Sequence, residues 1–191
     1  MIAFIVKNPE RYVKLDLVEY TFFESQIGTI SLASRNKKII ALDIQSKNVY
    51  EVKKHLSSLY PDGHESELSF KTIKLLLDKY LKGKKVDFDV DIDISGESQF
   101  TQKVLRELKK IPYGEVRSYL WIGKQVGHAM GARAVGQAVK RNPIPIIIPC
   151  HRIIREDGSL GGFSLGIEIK KRLLAIEGVF NSIDKTGLVL T

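Results

Sequence analysis

The spacing of apolar residues changes period along the chain, and each change marks an element. Residues 27–33 and 39–44 are β-rich runs separated by Ser34-Arg35-Asn36-Lys37-Lys38, which predicts a hairpin. Val49, Val52, Leu56 and Leu59 recur at i, i+3, i+7 and i+10, the stripe of an amphipathic helix. A second helical pattern covers 68–81 and stops at Gly83. Val86, Phe88, Val90, Ile92 and Ile94 then alternate with Asp87, Asp89, Asp91 and Asp93. Period two of this kind predicts an extended connector with one solvated face, so the aspartates read as a wet edge rather than a cation site.

From Phe100 onward the period is helical. Phe100, Val104, Leu105, Leu108 and Ile111 mark one amphipathic helix, closed by Pro112 and Gly114. Ser118 is placed to cap a short helix over 119–126 that ends at Gly127. A further helix covers 131–141 and is stopped by Asn142-Pro143. Two helices joined by a short glycine-containing turn form a helix-turn-helix candidate. At about 100° per residue, the second of them puts Ala132, Val135 and Val139 on a face expected in the core. Arg133, Gln137 and Lys140 form its polar stripe, and Gly131, Ala134 and Ala138 form a face almost without side-chain bulk. A smooth face beside an arginine suits a DNA groove; packing against another helix would use the same residues. The last helix is expected over 166–177, with Ile169, Leu173 and Ile176 as its core stripe and Glu177 at the border of that stripe. The whole pattern gives an α/β N-terminal domain at 1–85 (a small sheet with helices), a connector at 86–97, and a mainly α helix-turn-helix domain at 98–191.

Charge adds a partner class. Thirty Lys and Arg against 22 Asp and Glu give a net charge of +8, which favours an anionic partner such as nucleic acid. The excess is concentrated over 103–140. No run approaches the ~20 apolar residues that span a bilayer, and the opening MIAFIVKNPE has neither the basic start nor the small-residue cleavage site of a secretory signal. The expectation is therefore a cytoplasmic protein (nuclear in a eukaryote), a monomer with no membrane partner.

The chain has a single cysteine, which rules out an internal disulfide and a cysteine-rich zinc site. A lone cysteine is commonly a small buried hydrophobe. Cys150 differs through its neighbours. It ends the run Pro143-Ile144-Pro145-Ile146-Ile147-Ile148-Pro149, whose prolines stiffen the backbone, and His151 and Arg152 follow it. A thiol in apolar surroundings needs a base. His151 fits that role, directly or through one water, and Glu177 fits the role of orienting carboxylate, because a carboxylate at a helix C-terminus opposes the macrodipole and so implies a use. A core cysteine with an idle His and Glu is the competing reading.

IPCHR at 148–152 resembles the active-site signature of the O6-alkylguanine-DNA alkyltransferases. PYGEVRSY at 112–119, ARAVGQAVKRNPIPIIIPCHRII at 132–154 and GGFSLGIEIKKRLLAIEG at 161–178 resemble the same family in order and spacing. The resemblance covers 98–178 strongly and the N-terminal part only loosely. It implies stoichiometric, irreversible transfer of an alkyl group from O6 of guanine in double-stranded DNA, with O4 of thymine as a second target, to Cys150, without cofactor or metal. It also implies roles for single residues. His151 acts through a water, Glu177 polarises it, and Asn142 holds the backbone around Cys150. Tyr119 donates to N3 of the flipped guanine, and Arg133 fills the hole in the base stack. The N–H of Ser164 contacts O6, while the carbonyls of Cys150 and Ile153 read the 2-amino group. Gly131, Ala132, Ala134 and Gln137 lie along the DNA, and Lys170 lies near the pocket. Phe163 stands where many members have tyrosine, and Leu165 where glycine is frequent; both are expected to crowd bulky adducts. The cysteines of the zinc site found in some relatives are absent. A cysteine hydrolase lacks an identifiable oxyanion hole here. A non-catalytic helix-turn-helix regulator or damage sensor would need no nucleophile.

Overall fold

A computed structural model describes residues 17–127 and 131–179. The N-terminal part is a four-stranded sheet of order β3-β2-β1-β4 with two helices. β1 (Val18–Ser25), β2 (Gly28–Arg35) and β3 (Lys38–Gln45) form an antiparallel meander, and the two-residue β4 (His64–Glu65) pairs parallel with the start of β1. The predicted hairpin is β2–β3, tightened to a two-residue loop. Asn36 and Lys37 have φ of 51° and 65°, the all-positive pair of a type I′ turn whose twist matches the strands it joins.

β1 was not among the expected elements, although Val18, Tyr20 and Phe22 alternate with Glu19 and Thr21 as a strand does. Its sheet is covered on both faces. Val18 and Tyr20 pack with Ala33 against Val52 and Leu56 of α1 (Val49–Leu59), while Phe23 packs on the main core. α1 begins at a capping box: the Asn48 side chain accepts from Glu51 N–H at 2.9 Å, and Glu51 accepts from Asn48 N–H at 3.3 Å. α2 (Lys71–Leu81) buries Ile73, Leu77, Tyr80 and Leu81. The following segment is extended, as expected. Phe88 is buried and Asp87, Asp89 and Asp91 are exposed, and Ile92 bridges to Ile39 on β3.

The second part is helical. α3 (Gln99–Lys109) is capped by Ser98, whose hydroxyl accepts from Thr101 N–H at 3.2 Å. β5 (Arg117–Ser118) leads into α4 (Tyr119–Gln125), where the Ser118 hydroxyl accepts from Trp121 N–H at 3.1 Å as the sequence predicts. Gly127 follows at φ 75°, and residues 128–130 of the expected turn lie outside the described residues. α5 (Ala132–Lys140) packs on α3 and α4. A 3-10 turn over Cys150–Arg152, β6 (Ile153–Ile154, parallel to β5) and α6 (Ile167–Ile176) complete the order. Among the described residues no helix is long and apolar enough to cross a membrane.

Two face assignments need correction. Ala132 was expected in the core and is exposed; Ala138, assigned to the smooth face, is buried with Val135 and Val139. The helix is rotated so that its last two turns, not its first residue, meet α3. In α6 the buried residues are Lys170, Leu173, Leu174 and then Glu177, while Ile169 and Ile176 are only half-buried. Those four positions keep the i, i+3, i+4, i+7 spacing of a buried stripe. Two of them are charged, so a search for apolar residues alone found Leu173 but set the stripe part of a turn away from its centre.

Candidate active site

Ile144, Ile146, Ile147 and Ile148 are each 3% exposed or less, and they lock the segment that delivers Cys150. Ile146 holds φ of 70°, a costly conformation for a β-branched residue that persists where its surroundings over-determine it. Asn142, at the end of α5, ties the segment down. Its amide N–H groups donate to Ile148 O at 2.8 Å and Cys150 Sγ at 2.9 Å, and its carbonyl accepts from Ile144 N–H at 3.1 Å.

Cys150 is 2% exposed. Burial pushes its thiol up to about 11, against the Asn142 hydrogen bond and the Lys170 charge, which favour the thiolate. His151 is fully buried, and its Nε2 lies 2.7 Å from Glu177 Oε1. Nδ1 of the same ring is buried and has no hydrogen-bond partner among the described residues. Desolvation lowers the His151 pKa despite Glu177, so the ring is neutral at neutral pH.

Glu177 caps the C-terminus of α6 and is 5% exposed, deeper than the border position expected. Arg152 Nε donates to its Oε2 at 2.9 Å and Arg152 Nη2 to its Oε1 at 2.9 Å; Gly114 N–H donates to Oε2 at 3.1 Å. Burial alone would push this carboxyl up, but the hydrogen bonds and charges of His151 and Arg152 outweigh it and hold it down to about 2. Arg152 also donates from Nη1 to Ile111 O at 2.6 Å. Tyr80, from α2, donates to Glu177 Oε1 at 2.6 Å and lies 3.2 Å from His151 Nε2.

Sequence reasoning assigned no role to Arg152 and missed Tyr80. The missed signal for Tyr80 was a hydroxyl in a stripe otherwise made of Ile73, Leu77 and Leu81: a phenol buried that deeply needs a partner. Its partners lie 71 and 97 positions away, beyond any local pattern.

Around this network the remaining expected residues fall into three groups. Tyr119 lines a cleft of about 310 Å³ with Gly136, Val139, Lys140, Phe163 and Ser164. Burial, and then the Cys150 charge, raise its phenol above the ordinary value. Gly161, at φ 66°, would bring a Cβ to 3.4 Å from the Tyr119 hydroxyl, so glycine keeps that approach open. A second cleft of about 560 Å³ joins Tyr119 to Ala132, Arg133, Gly136, Arg155 and Glu156. Arg133, Gln137 and Ala132 are exposed, Ala134 is half-buried and Gly131 is buried.

Lys170 is not at the surface of either cleft. It is 0% exposed, and its ammonium donates to the carbonyls of Ile153 and Leu160. Burial lowers its pKa to about 8. It braces the backbone around the cysteine turn, by way of the Ile153 carbonyl. Phe163 and Leu165 are both half-buried against the main core, and of the two Phe163 lines the cleft. A larger groove of about 720 Å³ lies between the end of β1 and α2, away from the nucleophile, so volume does not mark the site here.

Comparisons with known proteins agree with this geometry. The family model described as 6-O-methylguanine DNA methyltransferase, DNA binding domain, matches residues 99–179. The model described as the ribonuclease-like domain of the same methyltransferase matches residues 18–94. A methylated-DNA–protein-cysteine methyltransferase of Methanosarcina acetivorans is 40% identical over 161 residues, covering 83% of this chain and 97% of the relative. One from Metallosphaera sedula is 39% identical over 163 residues, with 85% and 94% covered. Among solved structures, Mycobacterium tuberculosis O6-methylguanine methyltransferase superposes with a TM-score of 0.72 at 35% identity over 84% of this chain and 93% of that one. The Mycobacterium tuberculosis protein OGT in complex with DNA gives 0.71 at 35% identity over 83% and 92%. With both of its parts matched and an uncommitted thiol held at the end of a braced turn, the chain belongs to the 6-O-methylguanine DNA methyltransferase family.

Proposed function

We propose that this chain repairs DNA by direct reversal, moving an alkyl group from O6 of a flipped-out guanine onto Sγ of Cys150. The observation that carries the reading is the chain of contacts Asn142–Cys150 and His151–Glu177 beside a cleft that Tyr119 lines. The S–H proton passes to His151 Nδ1 through one water. The thiolate attacks the alkyl carbon, the S–C bond forms and the O6–C bond breaks, and the electron pair stays on guanine. The Tyr119 hydroxyl donates to N3 as that charge develops. The backbone N–H of Ser164 meets O6, and the carbonyls of Cys150 and Ile153 accept from the 2-amino group. Lys170 holds the Ile153 carbonyl in place, and Asn142 the thiol. O4-alkylthymine is a second substrate.

Extruding a base costs a few kcal/mol of unstacking. Arg133, exposed on the free face of α5, offsets it by entering the stack, with Gly131, Ala132, Ala134 and Gln137 close along the groove. The DNA-reading and alkyl-accepting unit spans 98–191, the connector 86–97 and the N-terminal domain 1–85. The thioether has no simple reversal, so each molecule acts once and needs no cofactor. A damage sensor on the same fold would not need the buried base and carboxylate that back Cys150. Titrating the protein with a duplex that carries O6-methylguanine tests the reading: repaired guanine should stop at one per protein, and Cys150→Ala should bind the duplex without repairing it. Repair that continues past one equivalent would overturn it.

A further inference from the structure

Tyr80 belongs to the N-terminal part of the fold, yet it reaches the centre of the nucleophile's network. It is 0% exposed, with its ring 5.6 Å from that of Phe88 and edge-on to Tyr113 at 6.1 Å. Those ring contacts do not call for a hydroxyl, and an unsatisfied hydroxyl at this depth is costly. Among the described residues the hydroxyl has two partners, Glu177 Oε1 at 2.6 Å and His151 Nε2 at 3.2 Å. A carboxylate only accepts, so the phenol proton points at Glu177. Burial and the Glu177 charge both hold that proton in place. The phenol oxygen is then left to accept, and Nε2 must carry a hydrogen that faces two acceptors. The tautomer is fixed with its lone pair on Nδ1, the nitrogen without a partner among the described residues.

We propose that Tyr80 is a positioning residue for alkyl transfer, closing a triangle with His151 and Glu177 so that the thiol's base is set by a side chain of the N-terminal domain. This rests on the reading of His151 as the base. When Nδ1 takes the proton, Nε2–H becomes a stronger donor, and the linked bonds through the Tyr80 hydroxyl to Glu177 strengthen together. The N-terminal domain thereby acts on the chemistry rather than serving only as packing.

Tyr80→Phe in the full chain keeps the ring and deletes the hydroxyl. Single-turnover repair of an O6-methylguanine duplex, followed across pH, should slow about tenfold at neutral pH, the scale seen when a metal-bound histidine loses its orienting partner. An imidazolium that loses an acceptor at Nε2 is less stable, so the rising limb of the profile should move to lower pH, with duplex affinity unchanged. Phe88→Leu loosens the same packing without touching the triangle; it should lower the melting temperature and leave the profile in place. Glu177→Gln, run alongside, tests the reading beneath the proposal. A displaced profile for Glu177→Gln with an unmoved one for Tyr80→Phe makes Tyr80 a packing residue and overturns the proposal. If neither variant moves the profile, the assignment of His151 as base falls, and the proposal with it.

Discussion

Asn142 commits both ends of its side chain to the cysteine segment: two N–H donors to Ile148 O and Cys150 Sγ, and its oxygen to Ile144 N–H. Asn142→Ala strands buried polar groups, and should cost about 2–4 kcal/mol in urea unfolding as well as the reaction. Glu177 gives the matching electrostatic case. Its carboxyl titrates near 2 in the folded protein, below its ordinary 4.5, so the folded state binds that proton less readily than the unfolded chain. The stability it contributes is complete above about pH 4.5 and is lost as pH falls towards 2. Glu177→Gln should lose about 3–5 kcal/mol at neutral pH by leaving the Arg152 guanidinium buried without its anion. It should also flatten the acid limb of a melting-temperature curve over that window. An acid limb unchanged in the variant would place the charge linkage elsewhere. At this scale the sequence was informative where residues are contiguous or follow a motif: Cys150, His151, Asn142 and Glu177 are brought together as expected. It was silent on Tyr80 and on the Arg152–Glu177 pair, because those contacts are made across the fold.

Elements explain the next set of differences. α6 carries two charged residues on its buried face, so the apolar positions misplace that face by part of a turn. Those charges are also what the helix contributes: Lys170 braces Ile153 and Leu160, and Glu177 meets His151. β1 was passed over although Val18, Tyr20 and Phe22 alternate with Glu19 and Thr21. By contrast the helix start at Ser118 was read from its cap, and those at Asn48 and Ser98 obey the same rule, since capping is decided within four residues. The loop before α6 sets which alkyl groups reach the sulfur. Phe163 lines the cleft and Leu165 packs inward, so Phe163→Ala should raise the benzyl-to-methyl rate ratio several-fold. Leu165→Gly should instead lower the melting temperature with little change in that ratio. A ratio that responds to Leu165 and not to Phe163 would reverse this assignment of the two side chains.

On the scale of the whole molecule, the +8 charge and the exposed face of α5 give duplex binding a strong electrostatic part. Raising salt from 50 to 200 mM should weaken binding by orders of magnitude if six or more phosphates are contacted. The same change should barely affect reaction with free O6-methylguanine base, which needs only the cleft. Equal salt dependence for both substrates would mean that the charge serves the pocket rather than the duplex. The two domains also differ in how much the sequence reveals. The C-terminal part carries motifs because its backbone and side chains meet a substrate of fixed shape. The N-terminal part mainly has to pack, and many sequences do that; its Tyr80 reaches the His151–Glu177 pair from there. The central claim is that Cys150 keeps the group it removes. Intact-mass measurement after mixing with a duplex containing O6-methylguanine tests this most directly, with peptide mapping to locate the change. The account predicts a gain of one CH2 per protein, confined to the peptide of Cys150 and absent from Cys150→Ala. An unchanged mass alongside repaired DNA, or a methyl group carried on another residue, would contradict it.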